Sequence, residues 1–323
     1  MDPPGAVVNV LKSTEGSGGG FRESVCLPFL RQAQNADGGW GYHAGTSSAV
    51  EATAWCLLGL AKTDAAAEGI ERGKRWLAGA QLGDGSWPTR PETLQGNWVT
   101  ALVGLALLAT GGPLPAVASA ARWVCRSRSA RGGLRWRLLQ LMHGKKVVEQ
   151  DVALRGWSWT PGTAGWVEPT SVALLFLHAL PAELVPSGSG ERRQMGEAML
   201  YDRMCPDGGW NSGNPKIYGV AGVPQIGPTA WALLALQEQA AKAEIQRSLD
   251  WLSSEFDAID GPSSLALAYL ALDAAGRSAQ GFESKLAGHF ETGDFLGSVM
   301  AFAQAAYALS PGPDLLRWAP ARE

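Results

Sequence analysis

Two glutamates have the residue type and the position that acid catalysis requires. Glu51, in AVEATAW, and Glu168, in WVEPTSV, each stand two residues before a threonine that opens a long apolar run. A carboxylic acid among apolar groups has a raised pKa and stays protonated, so it can act as a general acid. Because a raised pKa also makes a weaker acid, the chemistry indicated is protonation of an epoxide, an imine or an allylic group rather than of an unactivated alkene.

The same two glutamates also have a structural interpretation. A carboxylate in the first turn of a helix favours the positive end of the helix dipole and accepts hydrogen bonds from N–H groups that lack partners. Capping is the simpler interpretation of each. If either is catalytic, Glu168 is the better candidate, because tryptophans precede it at 157, 159 and 166. Asp260, just ahead of another apolar run, is a further candidate acid.

Aromatic residues near the starts of the apolar runs are candidates for a substrate cavity. Their π faces can stabilise a carbocation, by about 0.5–2 kcal/mol each. The alternative is that they are ordinary hydrophobic core. The predicted substrate-binding residues are Asn97, Trp98, Trp166, Tyr218 and Phe295.

No metal site and no cofactor are predicted. The four histidines are scattered and form no HxxxH or HExxH pair, and the four cysteines form no CxxC pair. His178, in LLFLHAL, is more typical of a core histidine than of a ligand. No P-loop, GxSxG or GxGxxG segment is present.

A repeat accounts for the 41 glycines and 14 tryptophans of this 323-residue chain. Three segments end alike, in FLRQAQNADGGW, WLAGAQLGDGSW and MLYDRMCPDGGW, and a fourth, WVCRSRSARGGL, ends at Leu134 in place of the tryptophan. The glycines suit the positive φ of a tight turn, and the aspartates can accept hydrogen bonds from its backbone. The spacing from tryptophan to threonine is the same for Trp40, Trp87 and Trp157. One unit is therefore duplicated along the chain.

The repeat predicts alternating helices. Runs such as EATAWCLLGL are apolar on all sides and must be buried, whereas AAAEGIERGKRWLAGAQ is amphipathic. We predict outer helices near 22–34, 66–80, 115–128, 190–204, 241–254 and 279–290, and inner helices near 49–62, 97–110, 169–181, 227–240, 262–275 and 296–309. Six of each, in strict alternation, favour an all-α fold that closes as an α6/α6 toroid over an open solenoid.

The segment RGKRWLAGAQLGDGSW resembles the QW motif of squalene-hopene and oxidosqualene cyclases, and the chain is similar to the prenyltransferase and squalene-cyclase repeat family. The resemblance implies a toroid in which the inner-helix N-termini face an aromatic cavity for isoprenoid chains. It also implies a DxDD acid segment in class II cyclases, which this sequence lacks, and a zinc site in prenyltransferase β subunits. The later inner runs carry no histidine to complete such a zinc site.

The expectation is therefore a terpene-cyclase-like enzyme, a metal-independent isomerase or lyase, or an isoprenoid-binding toroid for a linear, apolar substrate. The alternative is a non-catalytic toroid that serves as an interaction scaffold. A carbohydrate-active α/α barrel would need paired carboxylates across the mouth of the barrel, for which Glu51 and Glu168 are the candidates. The QW-like sequence motif argues against this class.

Charge and hydropathy exclude other classes. A net charge of -3 gives no overall basic field for nucleic acid. No apolar run is long enough to span a bilayer, and the first residues do not resemble a signal peptide, so we expect a cytoplasmic protein.

We divide the chain into a flexible arm at 1–20, one toroid domain at 21–309 and a tail at 310–323. A basic insertion at about 131–160 mixes arginine and lysine with apolar residues. It suits a peripheral contact with an anionic membrane, or a diphosphate headgroup; a solvated insertion packed on the rim is the alternative.

Overall fold

The computed structural model describes residues 20–63, 66–130, 150–151, 153–217, 219–312 and 314–318. Twelve α-helices occur in this part of the chain. They are α1 (Leu27–Gln32, after a π-helical turn at Arg22–Cys26), α2 (Val50–Leu60), α3 (Ala67–Ala80), α4 (Val99–Ala109), α5 (Leu114–Arg126), α6 (Val167–Ala179), α7 (Ser189–Asp202), α8 (Ile226–Ala235), α9 (Ala243–Glu255), α10 (Pro262–Ala274), α11 (Phe282–Glu291) and α12 (Val299–Ala308).

The prediction of a mostly helical chain is confirmed. Short 3₁₀ turns lie at Ala182–Leu184, Gln237–Gln239 and Phe256–Ala258, and two two-residue strands, β1 (Lys216–Ile217) and β2 (Val220–Ala221), pair antiparallel. None of the described helices has the length and apolar character needed to cross a membrane.

Burial divides the helices into two sets. The even-numbered helices are buried nearly all round; in α2, every residue from Ala52 to Leu60 is buried. The odd-numbered helices bury one stripe, as in α9, whose buried residues are Ile245, Ser248, Leu249 and Leu252. The even-numbered helices therefore form the inner layer and the odd-numbered helices the outer one, as the repeat predicts.

The inner helices contact one another in a cycle. Helix α2 packs on α4, α4 on α6, α6 on α8, α8 on α10, α10 on α12, and α12 on α2 again. The contact between the first and last inner helices is close: a Cβ atom on Gly59 would lie 2.6 Å from the carbonyl oxygen of Ala303. Backbones can approach this far only because position 59 has no side chain.

We expect Gly59→Ala to destabilise the protein. The added methyl group must push α2 away from α12, which costs about 1–3 kcal/mol or more, because it meets backbone rather than a flexible side chain. The matched control is Gly288→Ala, at an exposed position within α11 where an added Cβ meets nothing within 4 Å. That variant should gain about 0.5–1 kcal/mol from helix propensity. Urea titration of both variants checks the prediction, and equal stabilities would contradict it.

One pair of hydrogen bonds recurs in four units. The indole N–H of each turn tryptophan donates at 2.7–2.8 Å to a carbonyl near the end of the preceding outer helix, and its backbone N–H donates at 2.9 Å to a threonine Oγ1 in the following inner helix. Each tryptophan thus joins an outer helix to an inner one, and all four are buried. The pairs are Trp40–Thr53, Trp87–Thr100, Trp157–Thr170 and Trp210–Thr229.

The third unit differs from the sequence alignment, which gave Leu134 the place of the tryptophan. Leu134 lies outside the described residues, and Trp157 makes both defining hydrogen bonds. Its indole partner, Val124, is 33 residues away, against 10 for Leu30 and Trp40. The insertion therefore lies before the tryptophan of this unit.

The loop that follows each turn tryptophan reaches the start of a neighbouring inner helix. The carbonyl of the second residue after the tryptophan accepts a backbone N–H there at 2.9–3.4 Å. Helix starts leave N–H groups without internal partners, so these bonds satisfy groups that would otherwise lack acceptors. The accepting and donating residues are Tyr42 and Val299, Thr89 and Val50, Trp159 and Trp98, and Ser212 and Val167. The starts of these inner helices therefore lie at one end of the molecule.

The opposite end is covered by the last described residues. Arg317 is buried, is paired with Asp314 and Asp273 and donates to the carbonyl of Ala308 at 3.2 Å. Trp318 stacks on His178 with 3.8 Å between ring centroids. Part of the segment predicted as a tail is thus packed against the C-terminal ends of the inner helices.

Candidate functional site

Glu51 and Glu168 occupy the same place on two inner helices. Each is the second residue of its helix, in α2 and in α6, and each is partly exposed while the helix residues that follow it are buried. Both carboxyl groups therefore lie at the end of the molecule formed by the inner-helix starts, which we call the mouth. Among the described residues, neither carboxyl group accepts a hydrogen bond from a backbone N–H. The capping interpretation is reduced to an interaction with the helix dipole.

Glu168 has no hydrogen-bond partner among the described residues. Burial raises the pKa of its carboxyl group above the ordinary value. The backbone N–H of the preceding residue, Val167, is satisfied by the carbonyl of Ser212 at 3.1 Å, so the helix start does not need the glutamate as an acceptor. An unpaired, partly desolvated carboxyl group is the arrangement that a proton donor requires.

Glu51 has a different environment. The hydroxyl of Tyr42 donates to its Oε2 at 2.8 Å. Burial raises the pKa of Glu51, and the hydrogen bond from Tyr42 opposes that rise by favouring the carboxylate. Burial and the nearby Glu51 in turn raise the pKa of the Tyr42 hydroxyl, which therefore stays protonated as the donor. Two carboxyl groups at one mouth thus differ in their hydrogen bonding.

Aromatic side chains lie at the starts of two inner helices. Trp98, which precedes α4, meets Trp159 edge to face, with 4.9 Å between ring centroids. Trp166 lies two residues before Glu168, and both Trp98 and Trp166 are half-buried. Asn97 is buried, and its Oδ1 accepts the backbone N–H of Val99, the first residue of α4, at 3.2 Å.

Rings also occupy the centre of the inner layer. Trp55, one turn below Glu51, lies 5.9 Å from Trp231 of α8 and 6.5 Å from Tyr307 of α12, measured between ring centroids. Since α2 and α8 are separated by two helices in either direction around the cycle, the contact between Trp55 and Trp231 crosses the middle. Aromatic side chains therefore fill part of the centre of the inner layer.

Three predicted site residues are placed elsewhere or are not described. Asp260 is exposed, which sets it apart from the two partly buried glutamates. Phe295 is buried in an aromatic cluster, with its ring 4.5 Å from that of Phe302 and 6.0 Å from that of Phe21. Tyr218 and most of the basic insertion lie outside the described residues.

Sequence reasoning did not single out Tyr42 or Trp159 as site residues. Both stand two residues after a turn tryptophan, so an alignment of the turns would have placed them together. Within the described part of the chain, no group of three or more His, Cys, Asp or Glu side chains is arranged to hold a metal ion.

Replacing the Glu168 carboxyl group should change stability in a pH-dependent way. The raised folded-state pKa means that the folded protein binds this proton more tightly than the unfolded chain. The resulting stabilisation is complete below the unfolded pKa and is lost as pH rises through the folded pKa. Relative to wild type, Glu168→Gln should therefore gain free energy of unfolding as pH rises above the ordinary pKa of a glutamate, until pH passes the raised folded-state pKa.

Thermal unfolding of wild type and variant across that pH range measures the difference. The control is Glu68→Gln, which removes an exposed first-turn carboxylate from α3. The prediction is contradicted if Glu168→Gln follows the control.

Comparisons with known proteins were made by sequence and by structure. No family model matches this sequence. The drimenyl diphosphate synthase of Streptantibioticus cattleyicolor is 34% identical over 64 residues, which are 20% of this chain and 12% of that enzyme. The matched part thus spans about an eighth of that relative's length.

Solved structures match over nearly the whole chain. A protein from Actinoplanes gives a TM-score of 0.58 at 16% identity, over 88% of this chain and 96% of that chain. The type II terpene cyclase MstE from Scytonema gives 0.57 at 12% identity, over 95% of this chain and 98% of that chain. An α-amylase from Clostridium perfringens gives 0.56 at 10% identity, over 91% and 98%. This chain therefore shares the helical toroid fold found in type II terpene cyclases.

Proposed function

We propose that this protein is a closed α6/α6 toroid of the QW-repeat type that cyclises a linear isoprenoid by protonating it. The observation that carries the proposal is Glu168, a partly buried carboxyl group with a raised pKa and no hydrogen-bond partner among the described residues, at the mouth formed by the inner-helix starts. The cyclic contacts of the inner helices support the closed ring.

The proposed reaction needs one proton and returns it. The Glu168 carboxyl group gives its proton to the epoxide oxygen of the substrate. The epoxide carbon–oxygen bond breaks, which leaves a hydroxyl group and a carbocation on the substrate and a carboxylate on Glu168. The electron pair of an internal double bond attacks the cation and forms a ring carbon–carbon bond. Loss of a proton from the cyclised cation restores a double bond, and that proton, passed to the Glu168 carboxylate directly or by water, regenerates the acid. The product is an isomer of the substrate.

The other mouth residues have roles that follow from their chemistry. The Trp98, Trp159 and Trp166 rings can face a cation with their π electrons. Glu51, which accepts a hydrogen bond from Tyr42, is the second candidate acid at the same mouth. Because a carboxyl group with a raised pKa is a weak acid, we propose an epoxide or allylic substrate rather than an unactivated alkene.

The structural relative supports the class of ligand. MstE was solved with its product merosterolic acid A, which indicates what a chain of this fold and size can hold. An apolar isoprenoid would suit the tryptophans at the mouth of this protein. No cofactor enters the proposed chemistry.

A non-catalytic scaffold is the second candidate, and one observation favours it. Trp55 and Trp231 meet across the middle, and neither of the two described cavities lies between Glu51 and Glu168. A mouth that is shallow over a filled centre suits a surface for a partner as well as a pocket for a substrate.

The experiment that separates the two candidates is a product screen. The full chain is incubated with linear sesqui-, di- and triterpenoid precursors, their terminal epoxides and their diphosphates, and extracts are analysed by gas chromatography and mass spectrometry. A new cyclic isomer that depends on native protein supports the cyclase. Absence of any product, together with no isoprenoid carried through purification, would reject the cyclase in favour of the scaffold.

A further inference from the structure

A groove lies between the outer helices α5 and α7. Its volume is about 350 Å³, at the small end of the range for ligand pockets, about 300–1,000 Å³. The C-terminal half of α5 forms one wall, and the first turns of α7 with the loop before them form the other. Its lining consists of Arg122, Cys125, Arg126, Arg128, Pro186, Ser187, Gly188, Glu191, Arg192 and Met195.

The groove has an excess of positive charge. Four of its lining residues are arginines, and one, Glu191, is acidic. Within the described residues, the structure gives none of the four arginines an ion pair with a carboxylate. The first turns of α7, a 14-residue helix, add the positive end of a helix dipole.

Arg192 is the unusual member, because it is only 3% exposed. Its Nη1 donates to the carbonyl of Arg155 at 2.7 Å, and its Nη2 donates to the carbonyls of Ser127 and Gly156 at 3.0 Å. The guanidinium lies 3.7 Å above the Trp157 ring. Its Nε is buried and has no acceptor. Burial, with Arg128 and Arg155 nearby, lowers the pKa of Arg192 to about 10.

The repeat explains part of this arrangement. In the first unit, Gln34 donates from Nε2 to the carbonyl of Gly38, two residues before the turn tryptophan. In the third unit Arg128 stands in the place of that glutamine, and Arg192 donates to the carbonyl of Arg155, again two residues before the tryptophan. Arg192 thus replaces a neutral amide in holding the turn.

Holding the turn does not account for the rest of the groove. A buried cation without a carboxylate is costly, and three more guanidinium groups around it increase that cost. An anion in the groove would offset the repulsion and give the guanidinium groups charge-assisted partners. Tetrahedral phosphate oxygens fit the donor geometry of several guanidinium groups at once.

We propose that the groove between α5 and α7 binds a phosphate or diphosphate group. The chemistry is the same whether that group belongs to a free phosphate compound or to a lipid headgroup, and the experiment distinguishes the two. Neither Glu51 nor Glu168 lines the groove, so the proposal does not depend on the proposed cyclisation.

The probe is inorganic pyrophosphate, titrated into the full chain at low ionic strength by calorimetry. We expect saturable binding of one pyrophosphate per chain. In Arg122→Gln/Arg126→Gln, two exposed wall residues lose their charge, and affinity should fall about tenfold or more, the loss expected for charge-assisted contacts. Glu191→Gln removes the acidic group and should tighten binding about two- to fivefold.

The matched control is Arg75→Gln/Arg247→Gln, which removes two exposed arginines from α3 and α9 outside the groove. It should bind pyrophosphate within about twofold of wild type. The proposal is overturned if wild type does not bind saturably, or if the groove variant and the control bind alike. Circular dichroism of each variant shows whether the fold is kept.

Vesicles distinguish the two sources. If a lipid headgroup is the ligand, wild type should co-sediment with phosphatidylcholine vesicles that contain phosphatidic acid. Added pyrophosphate should then release the protein from the vesicles. Binding of pyrophosphate without binding of these vesicles assigns the groove to a free phosphate compound. Vesicle binding that persists undiminished in Arg122→Gln/Arg126→Gln rejects the headgroup as the occupant.

Discussion

Glu168→Gln should lose cyclisation while keeping its fold. Glutamine has nearly the same shape as glutamic acid but has no acidic proton to give, so turnover should fall by about 10²–10⁴-fold, the usual contribution of a positioned general acid. Substrate affinity should change little, because the amide keeps the size and polarity of the side chain. The measurement is product formed per enzyme, with the best substrate of the screen, under single-turnover conditions.

The pH dependence gives a second readout of the same residue. The reactive form of Glu168 is the protonated one, so wild-type turnover should fall as pH rises through the raised pKa of this carboxyl group. Glu168→Asp keeps a carboxyl group but shortens the side chain by one methylene. It should retain more activity than Glu168→Gln, and its turnover should depend on pH in the same way as that of wild type.

The control for these variants is Glu68→Gln, an exposed first-turn glutamate that should leave turnover unchanged. Undiminished product from Glu168→Gln would reject Glu168 as the proton donor. If Asp260→Asn or Glu51→Gln lost activity instead, the acid would be reassigned to that position.

The helical repeat was readable from sequence because a hydrogen bond fixes its spacing. The 13 residues from Trp40 to Thr53, and again from Trp157 to Thr170, are the length needed for the tryptophan N–H to reach the threonine hydroxyl. In the fourth unit the separation from Trp210 to Thr229 is 19 residues, yet the bond is the same. The loop between the tryptophan and the threonine can therefore differ in length between units. A search for one fixed spacing misses the fourth unit.

The insertion shows where sequence matching misleads. The segment ARGGL resembles the turn motif of the other units. The hydrogen bond to the preceding outer helix is nevertheless made by Trp157, farther along the chain. A short sequence match compares only neighbouring residues. The hydrogen bonds instead identify the tryptophan that contacts both the outer and the inner helix. The equal spacing from Trp157 to Thr170 was the better signal.

The candidate site was only partly predictable. The position of Glu51 and Glu168 at helix starts follows from the repeat, because both precede the threonine by two residues. The hydrogen bond between Tyr42 and Glu51 depends on how the loop after Trp40 folds back. The meeting of Trp55 and Trp231 depends on the width of the inner layer and on the rotation of each helix about its axis, neither of which the hydrophobic pattern determines.

Removal of a turn tryptophan should have the largest effect on stability. Trp40 is fully buried, and both of its N–H groups are bonded. Trp40→Ala should cost about 3–5 kcal/mol, a large share of the 5–15 kcal/mol that stabilises a typical domain. Trp40→Phe keeps most of the ring but leaves the carbonyl of Leu30 without its donor, and should cost about 1–3 kcal/mol. Trp76→Phe, which loses an exposed hydrogen bond to Asp37, should cost less than about 1 kcal/mol.

The form of the unfolding transition of Trp40→Ala also tests the closed ring. Trp40 positions the loop in which Tyr42 accepts the N–H of Val299, so its loss weakens the junction between the first and last units as well as the first unit itself. In a closed ring no unit is terminal, and chemical denaturation should remain one transition, with the same midpoint by tryptophan fluorescence and by far-ultraviolet circular dichroism. In an open array of repeats the first unit can unfold alone, and two separate midpoints would be seen. Coincident midpoints at reduced denaturant concentration are therefore the expected result, and separated midpoints would contradict the ring on which the mouth and its acids depend.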